Sequence, residues 1–184
     1  CYWHSVAHQY ALDHSIAFKL IDKNTIDVPF QAAGKDITMN IAWTPGTMFA
    51  PNSLAYNNDL AIASLVLSDA AEKGTDRVKE VLNIMGFDQD TFRHYGYNDN
   101  LTGSVSFTLA EQDVKIDGKD KALIACVVRG TVNFNDAVID IGSAMDGFET
   151  NALYVKEKLE NYISSRFPGK DVILFTTGHS LGAA

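Results

Sequence analysis

The spacing of apolar residues changes several times along this chain, and each change marks a predicted element. Trp3, Val6, Ala7, Tyr10, Ala17 and Ile21 fall at roughly helical spacing, which predicts a helix over residues 3–20. Two β-rich runs follow, Thr25–Gln31 and Asp36–Trp43. The Ala-Ala-Gly34-Lys between them predicts a hairpin with Gly34 in its turn. Breaker clusters at Thr44-Pro-Gly46 and Pro51-Asn-Ser predict a loop. Leu60, Ala63, Ser64, Val66, Leu67 and Ala71 return to the helical period, predicting a helix over Asn58–Lys73 that Gly74 stops. Thr75 or Asp76 can cap a second helix, Arg77–Met85, ended by Gly86. Residues 88–100 read as irregular.

Strand character returns at Gly103–Glu111 and Lys121–Val128, joined by a turn around Asp117-Gly118, a favoured hairpin dipeptide. Phe148, Ala152, Val155, Leu159, Tyr162 and Ile163 then recur at the helical period and predict a helix over Glu149–Arg166, which Pro168-Gly169 ends. A short apolar strand, Asp171–Thr177, follows. This last strand–helix–strand portion suits a right-handed crossover in an α/β sheet. No internal repeat or low-complexity segment interrupts the order.

Composition narrows the classes. The chain has 184 residues, 46% of them hydrophobic and 21% charged, which is the make-up of a globular domain with a real core. A net charge of -8 argues against nucleic acid and against non-specific attraction to anionic lipid. No apolar stretch approaches the roughly 20 residues that a membrane span needs. Of the two cysteines, Cys126 sits in the apolar run Ala122–Val128, where a buried, inert thiol is expected. Cys1 reads as a boundary rather than a lipidated residue. The compartment stays open, with a secreted or cell-surface location slightly favoured.

The chemistry concentrates near residue 180. Gly178-His179-Ser180-Leu181-Gly182 is a G-x-S-x-G sequence, preceded by a strand and followed by small residues that begin a helix. A serine on a tight strand-to-helix turn leaves no room for a β-carbon at either flanking position, which explains the two glycines. The strain lifts the hydroxyl above the sheet, and the amide of Leu181 is placed to face a developing oxyanion.

A second motif, Val127-Val-Arg129-Gly130-Thr131, closes a predicted strand and is followed by Asn135-Asp136 and Asp140. An Arg-Gly-Thr after an apolar strand, with a Gly-His-Ser-Leu-Gly elbow about fifty residues on, resembles the class 3 lipases, the fungal triacylglycerol lipase type. Asn57–Ser68, Gly86-Phe87 and Gly147-Phe148 are similar to stretches of bacterial members, so the resemblance covers roughly residues 55–184. It implies a partial α/β-hydrolase fold, α/β with a mixed sheet and flanking helices, truncated after the nucleophile elbow. It divides the chain into an N-terminal helix and hairpin extension, 1–54, and the N-terminal half of a hydrolase domain, 55–184. It further implies Ser180 as nucleophile, Thr131 and Leu181 as the oxyanion hole, a structural role for Arg129 and no cofactor or metal. Asp140 matches a recurrent acidic position of unclear role. Two departures matter. Ala137 stands where the family usually has a tryptophan in or beside the lid, and Met145-Asp146 replaces a histidine that often precedes Gly147.

The remaining titratable residues offer weaker rivals. His179 occupies a variable elbow position whose side chain points away from the nucleophile. His4 and His8 lie about 40° apart on a helix, but Ser5 stands where a zinc hydrolase carries glutamate, so packed or solvated side chains are expected. His94, in a polar stretch, reads as exposed. The acidic clusters around Asp88, Asp90, Asp99 and Asp113, Asp117, Asp120 do not match a calcium loop.

In such hydrolases the acid and the base follow the serine in chain order, and here only four residues follow it. The expected function is therefore a serine carboxylic ester hydrolase, a lipase or esterase, whose acid and histidine lie beyond this chain. These residues alone are expected to turn over little, because the triad acts as a unit. The expected partners are an ester or lipid substrate and a missing C-terminal half or second chain that covers the elbow strand. The alternative is a catalytically silent hydrolase-fold fragment acting as an interaction or assembly module.

Overall fold

The computed structural model describes residues 6–17, 24–49, 56–96, 105–130 and 144–183, with no side-chain detail for 144–148 or 181. Among the described residues the first helix, α1, spans Val6–Asp13 and ends before Ile16; residues 3–5 and 18–20 of the expected helix lie outside them. The Ile16 amide reaches back to the Ala11 carbonyl at 2.9 Å, and Ser15 takes a left-handed φ of 53°. That is a helix-ending geometry which the apolar spacing does not encode. The hairpin forms as its pattern predicts, with β1 at Thr25–Ala32 and β2 at Lys35–Ala42 paired antiparallel around Ala33-Gly34. Where breakers predict only loop, Pro45–Met48 forms a short helix, α2, with Pro45 in its first turn.

Helix α3, Asn58–Lys73, matches its predicted bounds because both ends are marked. Asn57 accepts the amides of Asp59 and Leu60, and Gly74 takes φ 111°. Helix α4 follows at Thr75–Ile84. The stretch expected to be irregular contains a short strand, β3, at Arg93–Tyr95. It exists through its pairing with β4, His94 standing opposite Thr108. Strands β4, Ser106–Ile116, and β5, Lys119–Arg129, extend to the Asp117-Gly118 turn, further than their apolar runs suggest. Helix α5 runs over Ala144–Arg166 and leads into β6, Val172–Gly178.

Four strands make one sheet in the order β3-β4-β5-β6. The first two pairings are antiparallel and β5–β6 is parallel, so the sheet is mixed. Alternation along β5 feeds two cores. Leu123, Ala125 and Val127 face a cluster built with α3, α4 and the β1–β2 hairpin, which contributes Val28, Ile41 and nearby Trp43. Ile124, Cys126 and Val128 face Tyr162 and Leu159 of α5. The chain is thus α/β, with helices on both faces of a mixed sheet. Two strands buried on both faces explain why Ala122–Val128 is continuously apolar. β6 is outermost in the described sheet, and Leu174 on it is 44% exposed. Among the described residues, no helix is long and apolar enough to cross a membrane.

Candidate active site

The parallel strands β5 and β6 end side by side, Val128 opposite Gly178, and the chain turns sharply beyond both. Ser180 stands at that turn, exposed, with φ 52°. The other described non-glycine residues with positive φ have local reasons, since Ser15 ends α1 and Ala33 and Asp117 sit in hairpin turns. A serine held left-handed at a strand end costs on the order of 1 kcal/mol and requires surrounding structure to hold it there.

That structure is backbone packed against backbone. A β-carbon on Gly178 lies 2.0 Å from the Gly182 carbonyl oxygen, and one on Gly182 lies 2.7 Å from the Val128 oxygen and 2.8 Å from the Arg129 oxygen. Gly130 is equally confined, because its β-carbon meets the His179 oxygen at 2.4 Å and Ser180 Cβ at 2.9 Å. The two motifs separated in sequence therefore touch, with the end of β5 resting on the elbow after β6. Two hydrogen bonds fix the loop: His179 N–H donates to the Val128 carbonyl at 3.2 Å, and Gly182 N–H to the His179 carbonyl at 2.9 Å. Leu181 continues the chain in a single 3-10 turn, Ser180–Ala183.

Helix α3 backs this turn from one face. Ser68 Oγ donates to the Gly178 carbonyl at 2.8 Å, and Ser64 Oγ and Ser68 Oγ lie 2.5 and 3.2 Å from Thr177 Oγ1. Thr177 is 7% exposed, so this hydroxyl cluster lies under the elbow rather than in solvent. His179 Nε2 lies 3.9 Å from a Glu72 carboxylate oxygen at the end of α3.

A row across the sheet links His94, Thr108, Val127 and Thr177 in register. His94 is not the exposed loop residue that its polar neighbours suggest. It is half-buried in β3, with Thr108 Oγ1 at 3.2 Å and the hydroxyls of Thr75 and Ser106 at 3.4 Å. Burial first, then the charges of Lys79 and Arg129, lowers its pKa below the usual histidine value. Arg129 and His94 line a cavity of about 10 Å³, at the lower limit for one water and too small for a ligand.

Among the described residues, no three potential metal ligands converge. His8 is buried in α1, and His14 stacks on Tyr10. Thr131 and Asp140 lie outside the described residues, as does Ala137. A cavity of about 320 Å³ lies at the opposite ends of β5 and β6, bordered by Lys119, Lys121, Lys170, Asp120 and Asp171. Ser64, Ser68 and Thr177 belong to no motif, though two serines at i,i+4 on the helix face that also carries Leu60 and Ala71 are a usable signal. No family model, curated protein or solved structure matches the chain.

Proposed function

We propose that this chain carries the nucleophile of a serine carboxylic ester hydrolase of the lipase or esterase kind. One observation carries the reading: Ser180 is held at φ 52° on a turn whose flanking glycines, Gly178 and Gly182, have no space for a β-carbon. A serine with only a turn to make does not require three backbone segments within van der Waals contact. A nucleophile lifted above a sheet does.

In the proposed reaction, Ser180 Oγ attacks the ester carbonyl while a base takes its proton, and charge develops on the carbonyl oxygen. The amides of Leu181 and Thr131 stabilise that oxyanion. The alcohol leaves with a proton, and water then attacks the acyl-enzyme, releasing the acid and restoring Ser180. The proposed base is a histidine; His94 is engaged with Thr108 and His179 lies beside Glu72. The substrate class is a carboxylic ester, including acylglycerols and phospholipids, and the proposed acyl transfer uses no metal or cofactor.

The outermost position of β6 in the described sheet, with Leu174 exposed on it, favours a second reading, a catalytically silent hydrolase-fold module that offers this edge to another chain. A fluorophosphonate probe separates the two. The hydrolase reading expects adduct on Ser180, forming faster than on other exposed serines, and none in Ser180→Ala. Labelling of wild type no faster than that of other exposed serines overturns it and leaves the silent module.

A further inference from the structure

The peptide unit between Gly178 and His179 lies one residue before the nucleophile, and it is gripped at both of its polar ends. Its N–H donates to the Val128 carbonyl of β5 at 3.2 Å, and its carbonyl accepts from Ser68 Oγ of α3 at 2.8 Å. One grip comes from the sheet and the other from a helix more than a hundred residues earlier in the chain. We infer that Ser68 is a positioning residue for the nucleophile, fixing through this peptide the direction in which Ser180 presents its hydroxyl. The inference rests on the hydrolase reading for its catalytic consequence, but not for the geometry.

Proton bookkeeping supports a directed arrangement. The Gly178 carbonyl only accepts, so the Ser68 proton is committed to it. Thr177 Oγ1, 3.2 Å from both Ser68 Oγ and the Ser64 carbonyl, donates to one of them. Its own lone pair is then open to the Ser64 hydroxyl at 2.5 Å. Donation into Ser68 makes the run Ser64 to Thr177 to Ser68 to Gly178 head-to-tail, and each bond in such a run polarises the next. A serine in mid-helix ordinarily bonds back to its own helix or points to water. Ser68 does neither, spending its proton on the strand that carries the elbow. A hydrogen-bonded carbonyl also makes its peptide N–H a better donor, so the grip from α3 tightens the one from β5.

The test compares wild type with Ser68→Ala, Ser68→Thr and Ser180→Ala. Two readouts are taken: hydrogen exchange at the His179 amide, and the rate of fluorophosphonate labelling at Ser180. Alanine is a better helix former than serine, so Ser68→Ala keeps α3. The expected result is His179 exchange about tenfold faster and labelling about tenfold slower in Ser68→Ala, the size of one lost hydrogen bond. Labelling is expected to fall in its maximal rate rather than in probe affinity, with Ser68→Thr restoring both readouts. Unchanged His179 exchange in Ser68→Ala overturns the inference, as does an equal loss in Ser68→Thr. Wild type that exchanges as expected but never labels sinks the hydrolase reading alone.

Discussion

The two ends of the β5–β6 pair are built on opposite terms. At the C-terminal end, Gly130, Gly178 and Gly182 bring backbone so close that no side chain fits between. At the other end, β5 opens from the Asp117-Gly118 turn, where a β-carbon on Gly118 meets nothing, and charged side chains border an open cavity. The same two strands thus hold a tightly specified geometry at one end and a permissive one at the other. Close packing is costly to maintain and easily broken, so it is found where a conformation must be held.

The sharpest way to break that contrast is Gly178→Ala. Its methyl group overlaps a carbonyl that cannot rotate away, and a loss of about 3 kcal/mol or more is expected in urea unfolding. A smaller loss would mean the elbow end is as yielding as the hairpin end. Between the two ends, Glu111 of β4 takes both Arg166 contacts at 2.6 Å and one from Tyr162 at 3.2 Å, pinning α5 to the sheet. Glu111→Ala removes the two-oxygen partner of an exposed guanidinium, while the Tyr162 hydroxyl keeps the Thr91 carbonyl at 3.1 Å, so about 1.5 kcal/mol of stability should go in the same assay.

A further effect belongs to pH. The His94 pKa is lowered in the folded state, so its contribution is fully present above the unfolded value near 6.5 and is lost as pH falls through the lower folded value. His94→Asn should flatten that part of the stability profile relative to wild type. An unchanged slope would show that His94 is not held neutral beneath the elbow end. The smallest effect is expected at the permissive end. Gly118→Ala pays only for a residue at φ 76°, about 1 kcal/mol, because no atom obstructs it. Set beside Gly178→Ala, it separates the cost of conformation from the cost of space.

What could be read from the sequence follows where the determining forces are local. Helix α3 was legible to the residue because Asn57 and Gly74 mark its ends with their own side-chain chemistry or its lack. β3 was not, since Arg93, His94 and Tyr95 become a strand only by pairing with β4. Apolar spacing carries the expected α1 past Ser15, where the backbone already turns left-handed. At the site, the Gly-x-Ser-x-Gly spacing was legible because its steric reason lies within five residues. The contact of Gly130 with Ser180 Cβ and the grip of Ser68 on Gly178 depend on tertiary placement, which no local spacing records.

Trp43 gives this arrangement a voice in the spectrometer. Its indole, 5% exposed, packs among Phe49, Phe87 and Phe175, with the Phe175 ring centroid 6.1 Å away. Phe175 belongs to the strand that ends in the elbow, while Trp43 follows the N-terminal hairpin. Its emission colour therefore reports whether that hairpin and the serine-bearing strand are seated together, and a chain with Trp3→Phe carries that signal alone.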